Sequence, residues 1–249
     1  VLYRQFDKDP RRPTIRVVVR PATPRERALL APFPGVVRED ILEGKWAPPV
    51  SDGSGRDRAL ARQALDELKA AGWALTEGTM RDPRGERLAF EILVKTREEE
   101  RLALVYSQSL ARIGVVATVR LVDEVQYDRR RDNFDFEMTI GSWPASPSPG
   151  AEQRNRWGSA SADLHGSYNL TGATSPAIDA MISAMLVARE LDEFVAAVRA
   201  LDRVLLSGFY IVPLYYAPDQ WIAYSSRLGR PDRTPLFGAN FDAWWSRAP

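Results

Sequence analysis

One histidine and no cysteine in 249 residues limit the chemistry open to this chain. A thiolate nucleophile, a thiolate metal site and any site needing two imidazoles are excluded, so no metal or cofactor set is expected. His165 follows Asp163 by two residues, a pair that could exchange protons. It has no nucleophile near it in sequence and sits among small polar residues. Asp135, Glu137, Glu152 and Asp163 could supply the acid and base of glycoside hydrolysis, yet local spacing selects no two of them. Arg129-Arg130-Arg131 could hold phosphate or anionic lipid, but Asp128 and Asp132 flank it on a short helix, which is how a solvated face reads. Gly53-Ser54-Gly55 has neither the preceding strand nor the lysine of a phosphate-binding loop.

A sharper signal follows the apolar run Phe134 to Ile140, which reads as a strand and leads into Gly141-Ser142-Trp143-Pro144-Ala145-Ser146. In open α/β sheets ligands collect at the carboxyl ends of strands. A tryptophan there offers a broad flat contact and one N–H donor; it could equally plug the loop onto the core. Glu152, Gln153, Arg154, Trp157, Tyr168 and Asn169 add polar and aromatic groups that could converge on a peptide or a sugar. For each of them alone, scaffolding is as good a reading.

The elements around this loop follow from periodicity. Eight prolines between Pro10 and Pro49 allow a short strand at Ile15 to Val19 and only brief helices. A helix is predicted from Arg56 to Ala71, closed by Gly72 with Trp73 folding back. Asp82-Pro83-Arg84-Gly85 is a turn, and Leu88 to Val94 a strand. Thr96 with Glu99 forms a capping box for a helix to Ile113 whose buried stripe reads Leu102, Val105, Tyr106, Ser109, Leu110 and Ile113. Gly114 ends it, Val115 to Val122 is a strand, and Asp123 with Gln126 caps the next short helix. This strand–helix alternation implies βαβ crossovers and a mainly parallel sheet flanked by helices. Residues 141–174 are predicted to be an ordered binding loop, because a disordered linker rarely carries Trp143, Trp157 and Tyr168. Ser175-Pro176 starts a helix with Ile178, Met181, Ile182, Met185 and Leu186 on its apolar face. Asp192 to Leu206 repeats the stripe with Phe194, Val198, Leu201 and Leu205. Phe209 to Tyr216 and Gln220 to Tyr224 read as strands, the first bent at Pro213, and Trp244-Trp245 is expected to dock.

Composition agrees with a packed, non-membrane chain. It is 45% hydrophobic with a net charge of +1, and no apolar run approaches the roughly 18 residues of a span. The basic residues number 34, of which 30 are arginine, but 33 acidic residues balance them. That argues against a nucleic-acid partner. Val1 is not methionine, and no signal-like segment precedes the first turn, so the start reads as a processed end or a cut.

Several segments standing in one order carry a resemblance: Phe134-Asp135-Phe136-Glu137-Met138, Ser148-Pro149-Gly150-Ala151-Glu152-Gln153, Trp157-Gly158-Ser159, Gly166-Ser167-Tyr168-Asn169 and Ile211-Val212-Pro213-Leu214-Tyr215-Tyr216. Ala70-Ala71-Gly72-Trp73, Ala200-Leu201-Asp202-Arg203-Val204-Leu205 and Pro48-Pro49-Val50 through Gly55 add to it. From about residue 30 onward the chain resembles the family 5 extracellular solute-binding proteins of ABC importers, oligopeptide and microcin-C branch. The resemblance implies an α/β, periplasmic-binding-protein-like C-terminal lobe that is not an enzyme. It implies an oligopeptide or peptide-like ligand, an inner-membrane ABC permease as partner, and a periplasmic or extracellular location. The N-terminal lobe and signal peptide would lie outside this chain. Residues 1–55 would form a proline-rich lead-in, 56–217 the lobe, and 218–249 a tail returning toward the other lobe. It also implies a ligand wall containing Ser142, Trp143, Ser146, Glu152, Gln153, Trp157, Tyr168 and Asn169. Trp143 matches a tryptophan that peptide binders follow, three residues on, with an aspartate for the peptide ammonium. Here that position is Ser146, whose neutral hydroxyl supplies no charge-assisted bond, leaving Glu152 as the candidate substitute. The alternative class is a carbohydrate-active α/β domain using two carboxylates.

Overall fold

The computed structural model describes residues 20–49, 56–142, 149–214, 222–233 and 239–247, together with two short N-terminal strands. The chain forms two compact units, residues 1–4 with 17–210, and residues 5–16 with 211–249.

Two layers make up the first unit. In the helical layer, α1 (Pro24–Leu30) and α2 (Glu39–Leu42) pack on α8 (Leu191–Gly208), and α7 (Pro176–Val187) packs along α8. Leu30, Ile41, Ile178, Met181, Ile182, Leu201 and Leu205 share one core with Trp157. The apolar stripes predicted for α7 and α8 face this core, although Leu186 and Phe194 are only half-buried. Ser175 stands at the start of α7, but its side chain accepts no capping hydrogen bond.

A buried ion pair ties this layer together. Thr23 caps α1 by accepting the Glu26 N–H, and its hydroxyl donates to Glu26 Oε1. Arg203 of α8 donates from Nε to Glu26 Oε2 at 2.8 Å, and its other nitrogens donate to the Ile41 and Arg20 carbonyls. Glu26 is 0% exposed, and both of its carboxylate oxygens are bonded, Oε1 by Thr23 and Oε2 by Arg203.

The second layer is a parallel sheet. The helix α3 (Arg58–Ala70), capped by Asp57, ends at Gly72 (φ +88°) with the Trp73 N–H bonded back to Leu68. A hairpin, β3 (Ala74–Thr76) with β4 (Thr79–Arg81), leads through the Asp82–Gly85 turn to β5 (Ala89–Val94). Then come α4 (Arg97–Ala111), β6 (Val116–Leu121), α5 (Glu124–Asp132) and β7 (Met138–Thr139). Strand order is β6-β5-β7, all parallel, with Ile92 level with Val119 and Met138. From β5 the chain passes through α4 to one neighbour, then returns through α5 to the other. Right-handed crossovers therefore put the two helices on opposite faces. Phe90, Ile92, Val94, Ala117 and Val119 pack under Ala103, Tyr106 and Leu110 of α4.

Three sequence expectations shift here. On α4, Ala103 rather than Val105 meets the sheet: Val105 is 62% exposed, and Ser107 donates to the Ala117 carbonyl. Small Ala103 lets the helix approach closely, which rotates the buried face. The strand predicted from Phe134 shrinks to Met138–Thr139, because Phe134 adopts φ +55° and its N–H closes the end of α5 on Arg131. Glu137 still extends the pairing, since its carboxylate accepts the Glu91 backbone N–H at 2.6 Å. Residues 209–214 contain no strand: Phe209 turns left-handed (φ +48°) and ends α8. The rest of that predicted strand, with Gln220 and Trp221 of the next one, lies outside the described residues, and Ile222 to Tyr224 form no strand.

Residues 149–174 are ordered without being a sheet. They hold α6 (Glu152–Trp157) and a 3₁₀ turn at Ser159–Ser161.

The second unit holds most of the paired strands β1 (Arg4–Phe6) and β2 (Ile15–Val17), and the two-stranded β8 (Leu228–Gly229) and β9 (Trp245–Ser246). Trp244 meets Tyr224 edge-on and Phe241 at a tilt, so this tryptophan docks as expected, while Trp245 is half exposed.

Candidate functional site

The carboxyl ends of β5, β6 and β7 come together at one edge of the sheet. Lys95 follows β5, Asp123 follows β6, and Gly141 and Ser142 follow β7. Leu93 is level with Thr139, and Lys95 and Gly141 each follow that pair by two residues. The chain leaves β5 through α4 and β6 through α5, helices on opposite faces, and ligands of open α/β sheets bind outside the carboxyl ends of the strands.

A rigid platform stands behind that edge. Tyr127 of α5 is buried, with its hydroxyl 2.9 Å from Thr139 Oγ1, and Thr139 donates to the Leu93 carbonyl at 2.9 Å. Lys95 Nζ lies 5.1 Å from the centre of the Tyr127 ring and 3.2 Å from Glu124 Oε1. The Glu124 carboxylate lifts the Lys95 ammonium above its ordinary pKa. The Lys95 backbone N–H is spent on Glu99 Oε2, within the capping box of α4. Neither Lys95 nor Tyr127 stood out in the sequence. The available signal was a lysine, one of four in the chain, standing between the end of an apolar strand and its capping threonine.

The expected ligand wall divides. Ser142 is exposed at the strand edge. Trp143 and Ser146 lie outside the described residues. Glu152 opens α6 and accepts the Gly150 N–H and the Gln153 amide; burial alone would lift this carboxyl, but these bonds hold it below the ordinary carboxylate range. Gln153 is buried with Oε1 unpartnered. Trp157 is in the core, its ring 6.0 Å from that of Tyr210.

Asn169 is fully buried and spends its amide on the chain itself. It donates to the Gly158 and Ala173 carbonyls and accepts the Ala173 N–H and the Thr171 hydroxyl. Trp157 and Asn169 therefore build the loop rather than face its surroundings. Tyr168 is 61% exposed between the buried Ser167 and Asn169. The Gly166 N–H of this loop bonds to Asp132 at the last turn of α5, whereas Ser142 and Asp123 stand at the opposite, N-terminal end. Nine helical residues separate those ends by about 13 Å. Tyr168 is thus on a different end of the sheet from Ser142.

Asp135, Glu137 and Glu152, three of the four carboxylates weighed for acid–base work, are engaged otherwise. Asp135 pairs with Arg130, which also pairs with Glu91 at 2.9 Å, and Glu91 in turn pairs with Arg120. Burial would lift the Glu91 carboxyl, but the two guanidinium groups hold it low. Glu137 completes the β5–β7 ladder. Asp163 and His165 are exposed. Arg131 pairs with Asp128 and Asp132, so two of the three consecutive arginines serve the helix and sheet. Among the described residues no cluster of metal-ligating side chains occurs, and no helix is long and apolar enough to cross a membrane.

A parallel sheet with helices on both faces agrees with a lobe of the periplasmic-binding-protein class. The model of "Bacterial extracellular solute-binding proteins, family 5 Middle" matches residues 35–164, more than half of the chain, and the chain belongs to that family. Brucella melitensis has a relative, named only as a binding protein, that is 52% identical over 228 residues, 92% of this chain and 37% of the relative. "Peptidoglycan-binding protein YepA" of Agrobacterium fabrum is 46% identical over 224 residues, 90% of this chain and 36% of YepA. The chain thus spans little more than a third of the length of these relatives. In fold it is similar to the oligopeptide-binding protein AppA of Bacillus subtilis, solved with a nonapeptide. That match has a TM-score of 0.60 at 15% identity and covers 90% of this chain and 45% of AppA.

Proposed function

We propose that this chain forms the C-terminal ligand-binding lobe of a periplasmic or extracellular receptor that captures peptides or peptide-bearing compounds and hands them to an ABC permease. The observation that carries this reading is the carboxyl edge where β5, β6 and β7 end, with Lys95 following β5 and Ser142 following β7. Membership of an extracellular solute-binding family supports it, as does the naming of one relative for peptidoglycan, a polymer cross-linked by peptides. The relatives' greater length supports a second lobe outside this chain, closing over the ligand. Ser142, Trp143, Ser146 and Glu152 are proposed for the wall, with Trp143 offering its ring face. Tyr168, at the other end of α5, is not included.

Calorimetric titration of the full-length protein with mixed peptides and with oligosaccharides tests the assignment. Peptides should bind and stabilise the protein; heat and stabilisation from sugars alone would refute it. Trp143→Ala should weaken peptide binding about tenfold or more while leaving the melting temperature of the unliganded protein unchanged. An equal loss of melting temperature would assign Trp143 to the core instead.

A further inference from the structure

Only Met138 and Thr139 of β7 pair with β5, yet this strand sets where the chain leaves the sheet for Ser142 and the residues beyond it. Side chains complete the attachment. Before the paired residues the Glu137 carboxylate accepts the Glu91 N–H, and at their end the Thr139 hydroxyl donates to the Leu93 carbonyl at 2.9 Å. That hydroxyl has a single proton. In its 2.9 Å contact with Tyr127 the phenol is therefore the donor and Thr139 Oγ1 the acceptor. The bonds run one way, from Tyr127 to Thr139 to Leu93, and successive bonds in such a chain strengthen one another. The Ile140 carbonyl, at 3.4 Å, is a more distant second acceptor for the same phenol, which is buried on α5.

We propose that Tyr127 is a positioning residue for ligand binding: its hydroxyl, acting through Thr139, fixes the direction in which residues 140–142 leave β7 and so orders the ligand wall in advance. The inference rests on the peptide-receptor reading and deepens it, because it assigns part of the affinity to a buried phenol that touches no ligand. A wall already held in its binding direction loses less freedom when the ligand arrives, and that difference appears as affinity.

The full-length protein is titrated calorimetrically with a pool of tetrapeptides made from Ala, Gly, Ser and Leu. Tyr127→Phe keeps the ring on which Lys95 rests and removes only the hydroxyl; it should weaken binding about three- to tenfold. Thr139→Val should do the same, and the double variant no more than either alone. Thr139→Ser keeps the hydroxyl and should bind within about twofold of the unaltered protein. Ser107→Ala is the control. It removes a hydrogen bond to the Ala117 carbonyl of β6, and should match the fall in melting temperature of Tyr127→Phe with no loss of affinity. Hydrogen exchange gives a readout that needs no ligand: the Ile140 amide should exchange about fivefold faster in Tyr127→Phe, with the β6 amides unchanged. Full affinity in Tyr127→Phe, or an equal loss in Ser107→Ala, overturns the positioning role and leaves the peptide reading standing. Additive losses in the double variant overturn the path through Thr139. If the unaltered protein binds no peptide, the peptide reading falls, and an unchanged Ile140 rate then overturns the positioning role as well. Tyr127→Phe and Ser107→Ala decide the matter even if Thr139→Val fails to fold.

Discussion

At the scale of single residues, the division between groups that face the loop's surroundings and groups that build it is sharp. Asn169→Ala removes four hydrogen bonds, among them those donated to the Gly158 and Ala173 carbonyls, of which Gly158 keeps the Ser161 N–H. It should lower unfolding free energy by about 3 kcal/mol in urea titration. Tyr168→Ala at the adjacent position should change it by less than about 0.5 kcal/mol. Sequence placed both in one list, because burial of a polar side chain has no periodicity in an irregular loop. The legible clue was Asn169 followed by Thr171 and Gly172, which is turn chemistry in which the amide bonds its own backbone. Asp202 of α8 carries a second consequence. Burial pushes its carboxyl up to about 6, against the opposing pull of Arg203. The fold therefore holds a proton that the unfolded chain, titrating near 3.8, has released. Its contribution to stability is present below about pH 4 and is lost as pH rises through 6. Across that interval the melting temperature of the unaltered protein should decline relative to that of Asp202→Asn.

Elements were legible where local chemistry decides them. The Thr96–Glu99 capping box, the Asp123 cap, the Asp82–Gly85 turn and the left-handed Gly72 all stand where the sequence puts them. Phase and length were less so. A stripe read from large apolar residues chose Val105, but the sheet accepted small Ala103, since helix-on-sheet packing rewards close approach as well as hydrophobicity. Ala103→Leu should therefore cost about 1–3 kcal/mol through overpacking, and Val105→Lys less than about 0.5 kcal/mol, both read from denaturant midpoints. If the order reversed, the predicted stripe would be the right one. The strand expected from Phe134 failed for a related reason. Its apolar alternation is real, but the residues are used to end α5 before the chain rejoins the sheet.

At the scale of the whole molecule, the parallel βαβ order followed from the alternation of strands and helices, and the family followed from segments spread along the chain. Invisible in sequence was the pairing of Glu26 with Arg203, 177 positions apart, because no local spacing links residues so distant. Arg203→Met should destabilise by about 3–5 kcal/mol by stranding the Glu26 charge. The double change Glu26→Gln with Arg203→Met should recover a large part of that loss. A double-mutant cycle in urea measures the coupling, and purely additive costs would mean that the pair is not energetically linked.

The same guanidinium bears on how new specificities can be engineered into this lobe. It holds the carbonyls of Arg20 and Ile41 as well as Glu26, so the stretch between those residues and α8 behaves as one inheritable piece. A chimera that took residues 20–46 from one relative and α8 from another would have to match both at once. The segment after β7 carries no such tie to α8 among the described side-chain hydrogen bonds, so its graft boundary can fall at Gly141. Such a graft has to stop short of Trp157, which shares the core of the helical layer, and of Ser159, whose N–H bonds to Asp179 of α7.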